Sequence, residues 1–241
     1  MQGADSTLAK RGWRHFASVH HALRPPLRPT GGDVGRIRRA IGGRDRRVLL
    51  LGVTPELSVI GSDLTAVDNS PRMLADVWPG DSADRRAVLG DWTELPFASG
   101  SFDAVIGDAS LNAAPEQVEE VVAEVRRVLA KDGNTAFRLF CAPAEPEALD
   151  SIEHDVANGW IGNVHALKWR IAMSLASSTP QAVVPVFEIL NTFDRMFPDR
   201  KKLAAETGWS AEDIVTLDAY VGADHSLAFP TLSSALGLLG R

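Results

Sequence analysis

The chain is constrained most by one apolar run, RVLLLGVTPEL at residues 47–57, and by the acidic turn AVDNS that follows at 66–70. The run stands between Arg46 and Arg47 on one side and Gly52, Thr54 and Pro55 on the other. It lacks the in-out alternation of a half-exposed strand, which is the pattern of a parallel strand covered on both faces. A second short strand over 64–67 carries Asp68 just past its end. That is about the spacing at which a doubly wound sheet sets a carboxylate against a ribose. Two strands closing in this way predict a crevice for a nucleoside-bearing cofactor.

Three further stretches keep the same order. Residues 86–89 read as a third strand emptying into Gly90, Asp91 and Trp92. LPFASGSFDAVIGD at 95–108 reads as a loop and a fourth strand over 102–106, and VLAKDGNTAFRLF at 128–140 as a helix end, a turn at Gly133 and a fifth strand over 134–140. Between them, residues 115–129 carry Val118, Val121, Val122, Val125, Val128 and Leu129 on one helical stripe, with Pro115 suited to the first turn.

Taken together, residues 46–140 resemble the class I S-adenosylmethionine-dependent methyltransferases. The resemblance implies an α/β fold with a doubly wound, mostly parallel, Rossmann-like sheet of seven-strand type. It also implies a set of site residues. Gly52, Thr54 and Glu56 would hold the methionine end of S-adenosylmethionine, Asp68 with Asn69 the ribose, and Asp91 with Trp92 the adenine, with Asp108 beside the transferred methyl group. The glycine turn departs from the family, because Leu50 stands where an acidic residue is usual and Thr54 and Glu56 replace two glycines. Such glycines let the backbone approach a ligand or take positive φ. Either Thr54 and Glu56 hydrogen-bond the amino-acid end of the cofactor instead, or the turn no longer binds.

Other roles stay open at two of these positions. Trp92 offers its ring face or its N–H to adenine, or else packs. Asp108 balances the sulfonium, holds an acceptor hydroxyl or amine, acts as a base, or is a turn carboxylate bonded to backbone N–H groups. The stretch after the fourth strand is not the Asn/Asp-Pro-Pro-aromatic signature of methyltransferases that act on amino groups of nucleic-acid bases or glutamine.

Outside this core the pattern is helical. Residues 10–23 place Trp13, Phe16, Val19 and Leu23 at helical spacing, RPPLRP interrupts, and Asp33 is a suitable cap for a helix over 34–41. Residues 1–47 hold 11 Lys or Arg against 3 Asp or Glu in a chain of net charge −6. The arm's arginines pair with the acidic body, or Trp13, His15 and Phe16 join them against nucleic acid, or Arg24 or Arg28 captures an anionic substrate. We divide the chain into a basic arm with lid helices at 1–43 and a methyltransferase domain at 44–241, with a helical cap at about 145–210. The cap's helices span 148–158, 164–175 and 185–197. Trp160, His165, Trp169, Arg170 and Phe187 are its pocket candidates, and His165 suits an acceptor hydroxyl that must lose its proton. For the sheet's closing hairpin the remaining strand candidates are 214–220 and 226–229, and residues 231–239 read as a helix. Either those two segments make the hairpin or the sheet is shortened.

The single Cys141 excludes an internal disulfide framework and a thiol zinc cluster, and no metal site is expected. No stretch is long and apolar enough to cross a bilayer, and the amino terminus lacks signal-peptide order. A cytoplasmic protein is expected, with a small-molecule acceptor, no nucleic-acid or membrane partner, and room for a homodimer. The expected activity is methyl transfer from S-adenosylmethionine to O, N or C of that acceptor, releasing S-adenosylhomocysteine. The alternative is a non-catalytic cofactor-binding or regulatory protein on the same scaffold. A nicotinamide oxidoreductase would show a GxGxxG turn and a Tyr-Lys pair, which the lone Tyr220 does not support.

Overall fold

The computed structural model describes residues 16–43 and 45–240. They form two units, one of residues 28–140 with 238–240, the other of 16–27 with 141–237. The backbone passes from one unit to the other three times, at 27/28, 140/141 and 237/238.

The first unit is built on a parallel sheet of strands β1 (Arg47–Leu51), β2 (Asp63–Asp68), β3 (Arg85–Leu89), β4 (Phe102–Asp108) and β5 (Leu129–Arg138), in the order β3-β2-β1-β4-β5. Val48 to Leu51 of β1 are fully buried, as the unalternating run requires of a central strand. Arg47 marks its start, with the guanidinium forked onto the Asp103 carboxylate at 3.1 and 2.7 Å and the Arg47 N–H on the same group at 3.0 Å.

Helix α1 (Gly31–Ala40) precedes β1, α2 (Pro71–Asp76) joins β2 to β3, and α3 (Val118–Val128) joins β4 to β5. Ser70 caps α2 through Met73 N–H, and Pro71 opens it, as the sequence reading has it. The stripe of α3 is also as expected, with Val121, Val122, Val125 and Val128 buried on Leu49, Leu51 and Val105. Its far end fixes the loop before β4. Arg127 bonds the Phe97 and Leu95 carbonyls at 2.7 and 2.9 Å while gripping Glu124, whose carboxylate accepts from Leu95 N–H.

Two expectations in this unit need correcting, and one alternative is settled. Asp33 is not the cap of α1. Thr30 is, three residues before the expected cap, and Asp33 closes a capping box by accepting from the Thr30 backbone N–H at 2.8 Å. Strand β5 begins at Leu129, directly after α3, and a register irregularity opposite Phe102 and Ala104 absorbs residues 130–133 before pairing resumes at Asn134. Among the described residues the sheet has five strands, and no closing hairpin extends it beyond β5.

The second unit is helical, with α4 (Leu149–Ala157), α5 (Val164–Ala176), α6 (Val186–Met196), α7 (Arg200–Thr207) and α8 (Ala211–Val215). The first three match their predicted spans closely. A two-stranded antiparallel ribbon, β6 (Val183–Pro185) with β7 (Ser226–Ala228), completes it. Residues 214–220 are not a strand. Ser210 caps α8 by accepting from Asp213 N–H, and the chain continues as a 3-10 turn, Thr216–Tyr220. Helix α9 (Leu232–Leu239) carries the chain back, so that Leu238 and Leu239 pack on the core of the sheet unit.

The predicted helix over 10–23 lies partly outside the described residues, Trp13 and His15 included. Residues 16–19 are helical and lead into a 3-10 turn, His20–Ala22. The basic residues that follow are paired with acids: Arg24 with Asp213 at 3.4 Å and Arg28 with Glu56 at 2.5 Å.

Candidate functional site

The carboxyl ends of three adjacent strands set the site. Leu51 of β1 lies between Val67 of β2 and Gly107 of β4 in register, so Gly52, Asp68 and Asp108 come to stand in a row. Open α/β sheets bind ligands at this edge.

Gly52 turns the chain out of β1 at φ +98°, and its N–H is bonded to the Val67 carbonyl at 2.8 Å. A side chain there would be strained by the backbone angle. The space it would fill is open, with only Trp92 Cζ2 at 3.9 Å. The helix that usually follows is reduced to one 3-10 turn, Pro55–Leu57, which accords with the short interval before β2. Glu56 within it gives one carboxylate oxygen to Arg28. Its other oxygen, Oε2, is buried and makes no hydrogen bond.

Asp68 is 8% exposed and accepts the Ser70 N–H at 2.8 Å. Burial pushes its carboxyl up to about 6, against the opposing pull of that hydrogen bond. Asn69 beside it is exposed. Asp91 lies exposed in the turn after β3, its Oδ1 accepting from the Thr93 N–H and hydroxyl at 2.9 and 2.8 Å. Trp92 donates its indole N–H to the Val67 carbonyl at 2.8 Å, the same oxygen that takes the Gly52 N–H, so the ring lies across the ends of β1 and β2.

Asp108 is bonded to Arg138 Nε at 2.5 Å, and the two side chains are 5% and 16% exposed. Burial raises the Asp108 carboxyl, Arg138 pulls it down by less, and the nearby Glu56 and Asp33 carboxylates add to the rise. The next residue, Ala109, holds φ +55°, a conformation that costs a side-chain-bearing residue energy. Its N–H on the Arg138 carbonyl and the Ser110 hydroxyl on the Leu51 carbonyl fix that turn.

Two of these features were missed from sequence. Arg138 was passed over inside an apolar strand, where a lone charge was the available signal, and nothing local marks Ala109. His165, the other predicted catalytic residue, belongs to the helical unit on α5, where it is fully buried. Trp169 is buried there edge-on to Phe229, Arg170 is gripped by Glu147 and Asp155, and Trp160 is 69% exposed. No group of three or more His, Cys, Asp or Glu among the described residues is placed to hold a metal ion.

The fold defines an α/β protein of the doubly wound, Rossmann-like class. Comparisons with known proteins sharpen that. Residues 52–137 match a family described as "Methyltransferase domain". That stretch is about a third of the chain, and it resembles the methyltransferase domains whose cofactor is S-adenosylmethionine.

Among solved structures, a provisionally assigned zinc-dependent alcohol dehydrogenase from Rhodobacter sphaeroides shares the fold at TM-score 0.59 and 16% identity, over 98% of this chain and 86% of that one. A provisionally assigned methyltransferase from an antibiotic biosynthesis pathway of Anabaena variabilis aligns at TM-score 0.46 and 16% identity, over 72% of this chain and 64% of that one. An S-adenosylmethionine-dependent methyltransferase from Mesorhizobium loti aligns at 0.40 and 22%, over 49% and 59%. This chain thus spans less than two thirds of the last two. No curated protein matches it in sequence.

The residues present fit the cofactor. Gly52 leaves a cradle that a Cβ would enter, the buried Oε2 of Glu56 suits an ammonium group, and Asp68 offers acceptors at the end of β2. No helix among the described residues is long and apolar enough to cross a membrane.

Proposed function

We propose that the protein transfers a methyl group from S-adenosylmethionine to an O, N or C atom of a small-molecule acceptor. The observation that carries this reading is the row at the strand ends. Gly52 turns there at positive φ beside Asp68, with the buried oxygen of Glu56 following in the same turn.

When bound, S-adenosylmethionine supplies an electrophilic methyl carbon on a sulfonium. The chain's own residues bind and orient. Asp68 accepts from the ribose hydroxyls, with Asn69 at its exposed side. Glu56 receives the α-ammonium, Thr54 lines the same turn, and Arg28, already at Glu56, meets the carboxylate. Asp91 takes the adenine amino group, and Trp92 offers its ring face, since its N–H is committed to Val67. Asp108, gripped by Arg138, accepts a hydrogen bond from the acceptor and aligns it rather than removing its proton. Holding nucleophile and electrophile in line supplies most of the rate gain of a direct displacement.

The departures at Thr54 and Glu56 favour one second reading, cofactor binding without turnover. Calorimetric titration with S-adenosylmethionine, S-adenosylhomocysteine and NAD tests both. Micromolar binding of the two sulfur compounds but not NAD, lost in Asp68→Ala, supports the site. No binding by the folded wild type overturns it. Binding with no S-adenosylhomocysteine formed across a panel of phenols, amines and carboxylates moves the conclusion to the second reading.

A further inference from the structure

Arg138 stands at the end of β5, in register with Asp108 at the end of β4, and it engages the turn there twice. Its Nε–H donates to the Asp108 carboxylate at 2.5 Å, and its backbone carbonyl accepts the Ala109 N–H at 2.9 Å. The guanidinium lies 4.9 Å from the centre of the Phe140 ring. Phe140 is held in turn by the fully buried Asn112, which accepts the Phe140 N–H at 3.1 Å and donates to the Phe140 carbonyl at 2.8 Å. Asn112 fixes Phe140, Phe140 supports Arg138, and Arg138 aims Asp108.

The sheet does not depend on that side chain. Strands β4 and β5 pair through their backbones, and the turn at Ala109 is fixed by main-chain groups and the Ser110 hydroxyl. What the Arg138 side chain adds is direction and charge. Among the described residues, the charged groups that bear on Asp108 are Arg138 from β5, Glu56 from the turn after β1 and Asp33 at the start of α1. Glu56 is bound to Arg28, and Asp33 to Arg36.

Burial and the two carboxylates disfavour a negative charge on Asp108, and Arg138 opposes all three. A guanidinium suits this task because it stays charged at any pH the fold survives. The two side chains are 5% and 16% exposed, so salt and water screen the pair little. Without its partner, a carboxyl so buried takes up a proton rather than remain charged.

We propose that Arg138 is a positioning residue of the methyl-transfer site: it fixes the Asp108 carboxylate for the sulfonium, so that the protein holds S-adenosylmethionine in preference to S-adenosylhomocysteine. This assignment rests on the methyl-transfer reading, in which Asp108 lies where the acceptor meets the methyl group. The two compounds differ by one methyl group and one positive charge. They share the ribose, adenine and amino-acid ends that Asp68, Asp91 and Glu56 serve. Their affinity ratio therefore reads the charge at Asp108, while the shared contacts cancel.

The test is calorimetric titration of the full chain with each compound at half-unit steps from pH 5 to 7.5, on wild type, Arg138→Met, Arg138→Lys and Asp108→Asn. In Arg138→Met the preference for S-adenosylmethionine should decline as pH falls, at least about one pH unit above any decline in wild type. Arg138→Lys, which keeps the charge, should return the profile to within about half a unit of wild type. Asp108→Asn should show no decline.

Superimposable ratios in wild type and Arg138→Met, or a ratio that moves with pH in Asp108→Asn, would each overturn the proposal. An arginine that only packs would lower Tm and weaken both compounds alike when replaced, leaving the ratio unmoved. Failure of folded wild type to bind either compound refutes the methyl-transfer reading itself and shows before any variant is compared. Should Arg138→Met not fold, the Arg138 Nε–H resonance of 15N-arginine-labelled wild type decides. It must differ between protein saturated with S-adenosylmethionine and with S-adenosylhomocysteine; an identical resonance in the two refutes the assignment.

Discussion

Replacing Asp68 by Asn should make the protein more stable and a poorer cofactor binder at the same time. The carboxyl of Asp68 is displaced from 3.8 to about 6, chiefly by burial. The folded state therefore binds this proton more tightly than the unfolded chain does, and stability falls as pH rises from about 4 to about 6, with the loss complete above that window. A displacement of roughly 2 units at about 1.4 kcal/mol each amounts to about 3 kcal/mol, an upper figure because the site relaxes.

Asn keeps an oxygen for the Ser70 N–H and carries no charge. The stability difference between Asp68→Asn and wild type should be small near pH 4, grow through pH 5, and level off above pH 6.5 at up to about 3 kcal/mol in favour of Asn. Urea unfolding followed by tryptophan fluorescence at pH 4, 5, 6 and 7.5 measures it, and taking the difference cancels groups common to both proteins. Asn offers the ribose one oxygen where the carboxylate offers two, so affinity for S-adenosylmethionine should drop by about 10-fold or more. A difference that does not vary with pH, or a wild type more stable than Asp68→Asn at pH 7.5, would refute the account of this carboxylate.

Other substitutions test neighbouring claims. Gly107→Ala would bring a Cβ to 2.5 Å from Ser110 Oγ and 2.9 Å from the Phe137 ring; a loss of about 1–3 kcal/mol is expected by urea unfolding, with the turn at Ala109 displaced. Arg127→Met strips the Leu95 and Phe97 carbonyls and Glu124 of their shared partner. It should cost about 2 kcal/mol without altering S-adenosylmethionine affinity, as calorimetry would show. Glu56→Gln should weaken S-adenosylmethionine binding at least about 5-fold and spare adenosine binding, if the buried Oε2 serves the ammonium. Lys168→Met should gain stability over wild type as pH falls from 10 to 7 and hold the gain below. The wild-type lysine is neutral in the fold above about 7 and must be charged against burial beneath it, while its neighbour His165, flanked by Asp213 and Arg24, stays neutral down to about 4.

The inner strands β1, β2 and β4 could be read from sequence because they are largely buried on both faces and so write themselves as mostly apolar runs, each closed by a small or acidic residue. Gly52 and Asp68 were legible for the same reason, being the residues at which such runs stop. Arg138 was not, because a charge within a strand has meaning only through its partner, and Asp108 lies 30 residues away in the chain. The positive φ of Ala109 arises from bonds to Arg138 and Leu51, neither of them local.

Residues 214–220 were misread because a short apolar run fits a strand or a buried helix equally well by periodicity. The Ser210 cap three residues before Asp213 was the cue that separates the two. The Thr30–Asp33 capping box was equally available and was read one turn late.

The three passages of the backbone between units bear on how the chain is made. Residues 28–140 leave the ribosome as one uninterrupted block that carries all five strands of the sheet. The helical unit cannot be finished so early, since residues 16–27 must wait for partners such as Asp213 and Asn163, well over a hundred residues downstream. Synthesis therefore favours a sheet that consolidates first and a helical unit that takes up residues 16–27 only after Asp213 has been made. No single cut can release either unit whole.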